Sequence, residues 1–242
     1  MRLGNSFSSF RWLNGFLAEL HGGVAGGDRN SLLYSWQGKL DLDAEGTHYV
    51  YCHQGPASVR RGPHGALLYS GMFASMPGAI SIEGGCGIVI TRLRWYGDTL
   101  FGGPAPYEGR MRYIDGCTDS LLLPPPMKGD PCLNLLYFPP GIDQTMHTHP
   151  SDRIGMILSG KGQCEAPEGR VDLEPGMIFC IHADGQHRFR TPYNCDMRVL
   201  AYHPDSDFGP THEDHPMLNR TIIEGVSAAS PERAAFRTKE AA

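Results

Sequence analysis

Three histidines are spaced in a way that would allow them to bind one metal ion. His147 and His149 are separated by a single residue, and His187 follows 38 positions after His149, just past the turn at 184–185. Residues i and i+2 of an extended strand point to the same face, so both rings of the pair can reach one ion. Neutral imidazole binds Fe, Zn, Cu, Ni or Mn, and three imidazoles leave coordination positions open. The alternative is a pair of surface histidines with an unrelated third.

The segments around these histidines have the pattern of short β-strands. In the second half of the chain, the predicted strands are 133–138, 153–158, 162–165, 170–173, 177–181, 187–190 and 198–202. In the first half, they are 32–36, 48–51, 67–68, 72–75 and 88–96, with a short helix at 10–20. Turns rich in proline and glycine separate them, and strands at this spacing are typical of a sandwich or a barrel. The polar tail 227–242 is either helical or frayed.

The chain also contains a weak internal repeat with an offset of 105 positions. Residues 52–73 align with 157–178 without a gap, so that Gly71 falls on Gly176 and Leu68 on Leu173. The matches lie at turn glycines and apolar positions, which are the places that a shared backbone constrains most. The repeat predicts two similar domains in tandem.

The histidine segments resemble the two sequence motifs of the cupin superfamily. Gly141, five residues, the His147/His149 pair and Gly160 resemble the first motif, and Gly176 followed by His187 resembles the second. The resemblance implies an all-β chain of two tandem cupin-like barrels, also called double-stranded β-helix or jelly-roll barrels, with the metal in the mouth of the second. The predicted boundaries are 1–112 for the first barrel, 113–225 for the second and 226–242 for the tail.

Two positions depart from the family pattern. The usual glutamate four residues after the second histidine is Arg153, and the usual proline of the second motif is His182. In lacking that glutamate, the site is similar to the three-histidine sites of thiol and gentisate-type dioxygenases. A divalent ion on three neutral histidines keeps its full charge, and an inward Arg153 would add repulsion of about 4 kcal/mol at close range with a dielectric constant near 20. A small anionic, chelating substrate would relieve it, with Arg153 anchoring its carboxylate. The alternative is an outward Arg153 paired with Asp152 or Asp143.

Several other residues are candidates with more ordinary alternatives. Tyr137 and Tyr202 could donate protons or contact substrate, although core packing also suits them. His182 is better explained as a turn cap than as a ligand. The loop 203–215 is either a second metal site or, as we favour, a polar loop that closes over the barrel or contacts a partner subunit, and similar caution applies to 113–119.

The offset predicts that the first barrel binds no metal. His147, His149, Arg153 and His187 fall on the residues Leu42, Ala44, His48 and Ile82. The role of this barrel would then be structural, either covering a face of the second barrel or forming a dimer contact.

Composition narrows the function classes. A net charge of −5 without a lysine/arginine run argues against nucleic acid and anionic membranes as partners, and no run of 18 apolar residues suggests a membrane span. Seven cysteines without a CxxC pair favour reduced thiols in a cytoplasmic protein. We expect a homodimer that acts as a metal-dependent enzyme. The preferred hypothesis is a mononuclear Fe(II) dioxygenase that acts on a small carboxylate-bearing substrate. Zn, Ni, Mn or Cu could replace the iron. The alternatives are a non-oxidative lyase or isomerase with Zn, Ni, Mn or Fe, and a non-catalytic ligand-binding barrel.

Overall fold

A computed structural model describes residues 1–20, 30–43 and 45–236 of the chain, and almost all of its regular structure is β-strand. The strands of the first part are β1 (Arg2–Leu3), β2 (Phe7–Phe10), β3 (Gly15–Leu20), β4 (Ser31–Leu42), β5 (Gly46–Gln54), β6 (Ala57–Arg61), β7 (His64–Leu68), β8 (Phe73–Pro77), β9 (Ile80–Leu93) and β10 (Leu100–Gly102). Those of the second part are β11 (Met111–Arg112), β12 (Thr118–Leu123), β13 (Cys132–Phe138), β14 (Arg153–Gly160), β15 (Gly162–Ala166), β16 (Gly169–Leu173), β17 (Ile178–Ile181), β18 (Arg188–Arg190), β19 (Met197–His203), β20 (Ile222–Ile223) and β21 (Val226–Ser227). The helical segments are α1 (Pro216–Asn219) and two 3₁₀ turns, Ile114–Gly116 and Pro231–Phe236. None of the helices within the described ranges has the length and apolar character needed to cross a bilayer.

The strands form two barrels in tandem, which confirms the predicted fold. In the first barrel, the large sheet has the order β10-β8-β5-β9-β4-β3. The β6–β7 hairpin pairs with residues 81–83, near the N-terminal end of β9. In the second barrel, the large sheet has the order β1-β2-β17-β14-β19-β13-β12-β11, opposite a small sheet β16-β15-β18. Neighbouring strands in both barrels pair antiparallel, as in a jelly roll.

Backbone hydrogen bonds show that the two barrels repeat each other. In the first, Cys52 N–H donates to the Met72 carbonyl and Gly71 N–H to the Cys52 carbonyl, at 2.9 and 2.8 Å. In the second, residues 157, 177 and 176 make the same two bonds at 3.0 and 2.8 Å. The glycines at 71 and 176 have φ of 83° and 85°, a left-handed conformation that strongly favours glycine. The 105-residue offset therefore joins structurally equivalent positions.

Three apolar clusters hold the molecule together. One fills the first barrel, with the buried side chains Trp36, Leu42, Val50, Cys52, Ala57, Val59, Leu68, Ala74, Met76, Ile80, Ile82 and Val89. A second lies inside the second barrel, with Phe7, Cys117, Phe138, Ile157, Cys164, Val171, Leu173, Phe179, Ile181, Phe189, Met197 and Val199. The third lies between the large sheets, and Tyr49 and Tyr202 meet there edge to face with ring centroids 5.2 Å apart. The two barrels therefore share a core.

The N-terminal segment differs from the prediction. The helix expected at 10–20 is wrong, because Gly15–Leu20 is a strand that pairs with β4. Leu17 and Leu20 pack against the core between the barrels, and this tertiary packing outweighs a weak local preference for helix. Phe7–Phe10 pairs instead with β17, so the first ten residues, predicted with the first barrel, extend the sheet of the second. In the tail, Pro231–Phe236 is a 3₁₀ turn, and 237–242 lie outside the described residues.

Candidate metal centre

Two short extended segments bring the predicted metal ligands together. His147 and His187 face each other in an antiparallel bridge, and each backbone N–H donates to the carbonyl of the other residue at 2.9 Å. His149 lies two residues further along the same extended segment. Because alternate residues share a face, its ring turns toward the same point as that of His147. The i, i+2 spacing of His147 and His149 therefore directs both rings to one face, as predicted.

The three imidazoles lie close enough to share one ion. The ring centroids of His147 and His187 are 4.5 Å apart. The ring centroid of His149 lies 5.1 Å from that of His147 and 5.2 Å from that of His187. One nitrogen from each ring falls within 4.8 Å of the other two. Metal–imidazole bonds are about 2.0–2.1 Å, so small side-chain rotations bring all three onto one ion. The donor set fits a divalent transition metal.

Backbone carbonyls orient two of these rings. The Nδ1 atom of His147 lies 2.8 Å from the Thr145 carbonyl, and that of His187 lies 2.9 Å from the Gly185 carbonyl. An Nδ1–H that donates to a carbonyl leaves the Nε2 lone pair free to bind a metal. Burial lowers the pKa of His149 to about 3, helped by the positive charge of Arg153, and burial lowers that of His187 to about 4. Both rings are thus held in the neutral form that a metal requires.

A cavity of about 150 Å³ adjoins the histidines inside the second barrel. Its lining is formed by Tyr113, Asp119, Asn134, Leu136, His149, Arg153, Ile154, Gly155, Phe179, Ile181, His187, Phe189, Val199, Ala201 and His203. A cavity of this size can hold a molecule about as large as benzene. It continues into an open groove that shares Asn134, Arg153 and His203 and reaches Lys128 and Phe208 at the surface. The site therefore suits a small ligand that enters from the groove.

Arg153 faces this cavity, and its charge partner is one that the sequence did not suggest. Its side chain is 14% exposed, and Nη1 lies 3.4 Å from Asp205 Oδ1, whereas the sequence suggested Asp152 or Asp143 as the partner. Nη1 also donates to the carbonyl and hydroxyl of Ser151. The buried Nε has no hydrogen-bond partner among the described residues. Arg153 therefore places a guanidinium at the cavity wall, and Asp205 balances part of its charge.

Asp119 and Asn134 form a second polar group on the cavity wall. Asn134 Nδ2 donates to Asp119 Oδ2 at 3.0 Å, and the buried Asn134 Oδ1 has no partner among the described residues. Burial raises the pKa of Asp119 to about 6, against a smaller opposing effect of the Asn134 amide. A carboxyl that titrates near neutral pH can accept or donate a proton in catalysis.

The structure corrects the predicted site roles of both tyrosines. Tyr137 lies on β13 next to the cavity-lining Leu136, but its ring is on the opposite face of the strand and packs against Tyr107, with ring centroids 5.9 Å apart. Tyr202 is fully buried between the barrels, and its hydroxyl lies 3.1 Å from Ser31 Oγ. Alternation along each strand turns both side chains away from the cavity, so neither can reach a ligand there.

Residues from the segments 203–215 and 113–119 also line the site. His203 lines the cavity, and residues 205–208 line the groove that leads to it. These positions agree with the interpretation of 203–215 as a loop that closes over the barrel. Tyr113 and Asp119, from the segment 113–119, also line the cavity. Sequence reasoning missed His203, Asp119 and Asn134 as site residues. The one available signal was that the segment 203–215 is rich in histidine and aspartate, and this composition did not indicate which side chains face inward.

Comparisons with known proteins agree with this architecture. Residues 134–203 match the Cupin domain family, whereas no curated protein matches the chain. Among solved structures, a cupin 2 conserved barrel domain protein from Leptotrichia buccalis is 14% identical, with a TM-score of 0.55 over 77% of this chain and 88% of the other. Salicylate 1,2-dioxygenase from Pseudoaminobacter salicylatoxidans is 8% identical, with a TM-score of 0.52 over 76% of each chain. Oxalate decarboxylase from Bacillus subtilis is 12% identical, with a TM-score of 0.51 over 100% of this chain and 89% of the other. Residues 134–203 are therefore a cupin domain, and the chain as a whole has the cupin fold, built as two tandem barrels.

Proposed function

We propose that the protein is a metal-dependent enzyme, a mononuclear Fe(II) dioxygenase that acts on a small carboxylate-bearing substrate. The observation that carries the proposal is the convergence of His147, His149 and His187 beside a cavity with a buried arginine. Two of the similar structures are named for salicylate and oxalate, which are both small carboxylates.

The three histidines, Arg153 and the apolar lining of the cavity each have a role in this proposal. The three histidines hold the metal, which supplies activation of O₂ and of a chelating substrate when bound. Arg153 orients the substrate carboxylate through its guanidinium group, which lines the cavity. Side chains such as Phe179 and Phe189 pack around the body of the substrate and exclude water.

The first test is metal content together with oxygen uptake. Protein purified without a histidine tag and loaded with Fe(II) should bind one ion and consume O₂ with a member of a panel of thiols, hydroxy acids and catechols. His149→Ala should lose most of the metal and reduce uptake to background. His64→Ala, at an exposed site in the first barrel, should change neither. Stoichiometric metal binding with background uptake across the panel would count against the dioxygenase.

Asp119 supports a second candidate, a non-oxidative lyase or isomerase. Such chemistry needs a group that moves a proton in the cavity, and the pKa of Asp119, raised to about 6 by burial, suits that role. Product formation under strict anaerobiosis separates the two candidates. If Asp119 acts as a base, wild-type activity should rise as pH increases through about 6. Asp119→Asn should abolish that limb while metal content stays unchanged, and a variant that keeps the limb would exclude Asp119 as the base.

A further inference from the structure

A second group of potential metal ligands lies outside the cavity, where three strands of the large sheet meet. Cys180 and His182 are two residues apart on and just after β17, so their side chains share a face, and Asp152 immediately precedes the neighbouring β14. The His182 Nδ1 atom lies 3.7 Å from Cys180 Sγ and 4.0 Å from Asp152 Oδ1. All three ligand atoms fall within 4.8 Å of one another. A tetrahedral ion with bonds of 2.0–2.3 Å separates its ligand atoms by roughly 3.3–3.7 Å, close to this arrangement.

Neighbouring groups hold two of these side chains in a coordinating orientation. Ser8 Oγ, on the adjacent strand β2, lies 2.8 Å from His182 Nε2. If that nitrogen carries the proton and donates it to Ser8, the Nδ1 lone pair faces the thiol and the carboxylate. Asp152 Oδ1 accepts a hydrogen bond from Ala183 N–H at 2.8 Å, which fixes the carboxylate. Outer contacts of this kind orient the ligands in protein metal sites.

The charges of the three groups suit a thiophilic divalent cation. A thiolate and a carboxylate together supply two negative charges, which neutralise the ion, and a neutral imidazole adds a third donor. Burial, together with the charge of Asp152, raises the pKa of the Cys180 thiol, so the thiol is protonated before an ion arrives. The ion replaces that proton, which is released to solvent. Cys180 is fully buried, whereas the His182 side chain is 26% exposed and provides the approach from solvent.

We propose that Asp152, Cys180 and His182 form a second metal site, selective for Zn²⁺-like ions and independent of the three-histidine centre. Sulfur, nitrogen and oxygen donors in one site match the ligand preference of Zn²⁺. Because Ser8 on β2 contacts the ligand His182, the ion would also fix the N-terminal strand against the second barrel. The role that this site supports is structural.

The test uses Co²⁺ as a spectroscopic substitute for Zn²⁺ in chelator-treated, full-length protein. His147→Ala/His149→Ala removes the first centre, so the remaining binding reports on the second. Titration of this double variant should show one equivalent of Co²⁺ and the near-ultraviolet charge-transfer absorption of a thiolate–cobalt bond. Adding Cys180→Ala should abolish the band. Adding Cys164→Ala, which changes an equally buried cysteine inside the barrel, should leave it intact.

A second variant keeps the proposal testable if Cys180→Ala does not fold. His182→Gln changes a partly exposed side chain, and loss of a direct ligand should raise the Kd for Co²⁺ at least about tenfold. The proposal is overturned if the double variant shows no charge-transfer band at saturating Co²⁺, or if the band persists without Cys180. An unchanged Kd in His182→Gln also overturns it. None of these results depends on turnover, so they leave the proposed enzyme activity to its own test.

Discussion

We propose that Arg153 gives the cavity a preference for an anion. It stands four residues after His149, where a negatively charged ligand would lower the charge of a bound ion, and it adds a positive charge instead. Asp205 offsets that charge at 3.4 Å, yet Arg153 Nε stays buried and unpartnered within the described chain. A buried donor without an acceptor costs free energy until a ligand supplies one. Arg153 should therefore determine which ligands bind.

Replacing Arg153 should remove this preference. Charge-assisted hydrogen bonds contribute about 1.5–3 kcal/mol, so Arg153→Gln should weaken binding of a small carboxylate by about 10- to 150-fold. Binding of the matching neutral alcohol should change far less. Calorimetry on metal-loaded protein measures both affinities.

The matched control is Arg188→Gln, which removes an arginine from the surface ion-pair network with Glu165 and Asp143. It should leave both affinities unchanged. If the ratio of carboxylate to alcohol affinity stayed the same in Arg153→Gln, this arginine would not be the anion-binding group.

At the scale of elements, the N-terminal strand β2 completes the barrel that carries the site. It pairs with β17 over four residues, from Phe7–Ile181 to Phe10–Ile178. Phe7 is fully buried and stacks on Phe179, with ring centroids 5.6 Å apart, and Phe179 lines the cavity. A strand from the beginning of the chain thus supports the wall of the second barrel.

Truncating Phe7 should therefore destabilise the protein. Removing a fully buried phenylalanine costs about 3–5 kcal/mol, because apolar burial is lost and a cavity is left. Urea unfolding of Phe7→Ala should show a loss of this size. Phe16→Ala changes a side chain that is 54% exposed on β3, the next strand along the chain. It should cost under about 1 kcal/mol. Equal effects of the two variants would show that β2 is not integral to the second barrel.

At the scale of the whole molecule, the two barrels have the same backbone plan but differently filled interiors. His48 occupies the position equivalent to Arg153, 105 residues earlier, and it is fully buried with Nδ1 2.8 Å from Thr91 Oγ1. Leu42 and Ile82, at the positions equivalent to His147 and His187, belong to the apolar core of the first barrel. Ala44 lies outside the described residues. The first barrel also supplies half of the shared core, which suits a supporting role.

The buried His48 should make the fold sensitive to acid. Burial lowers its pKa to about 4, against about 6.5 in the unfolded chain, so acid protonates the unfolded state first. His48 therefore does not lower the free energy of unfolding above pH 6.5. As pH falls from 6.5 toward 4, this free energy decreases by up to about 3 kcal/mol. His48→Asn keeps a polar atom near Thr91 and should flatten the decline in unfolding free energy over this range.

His64→Asn is the control, because His64 is exposed in the same barrel. Unfolding free energies measured in urea at several pH values give the slopes. If His48→Asn and wild type lost stability in parallel between pH 6.5 and 4, other groups would be responsible for the acid sensitivity.

Local patterns in the sequence determined the strands, the repeat and the candidate metal ligands. Strand periodicity, turn glycines and the spacing of His147 and His149 act over a few residues, and so they can be read from the chain. Tertiary structure decided which face of each strand points inward. It turned Tyr137 and Tyr202 away from the cavity, brought Asp119 and His203 to its wall and paired β2 with β17. Alternation fixes only that neighbouring side chains point in opposite directions, and the inward face depends on packing between residues far apart in the chain.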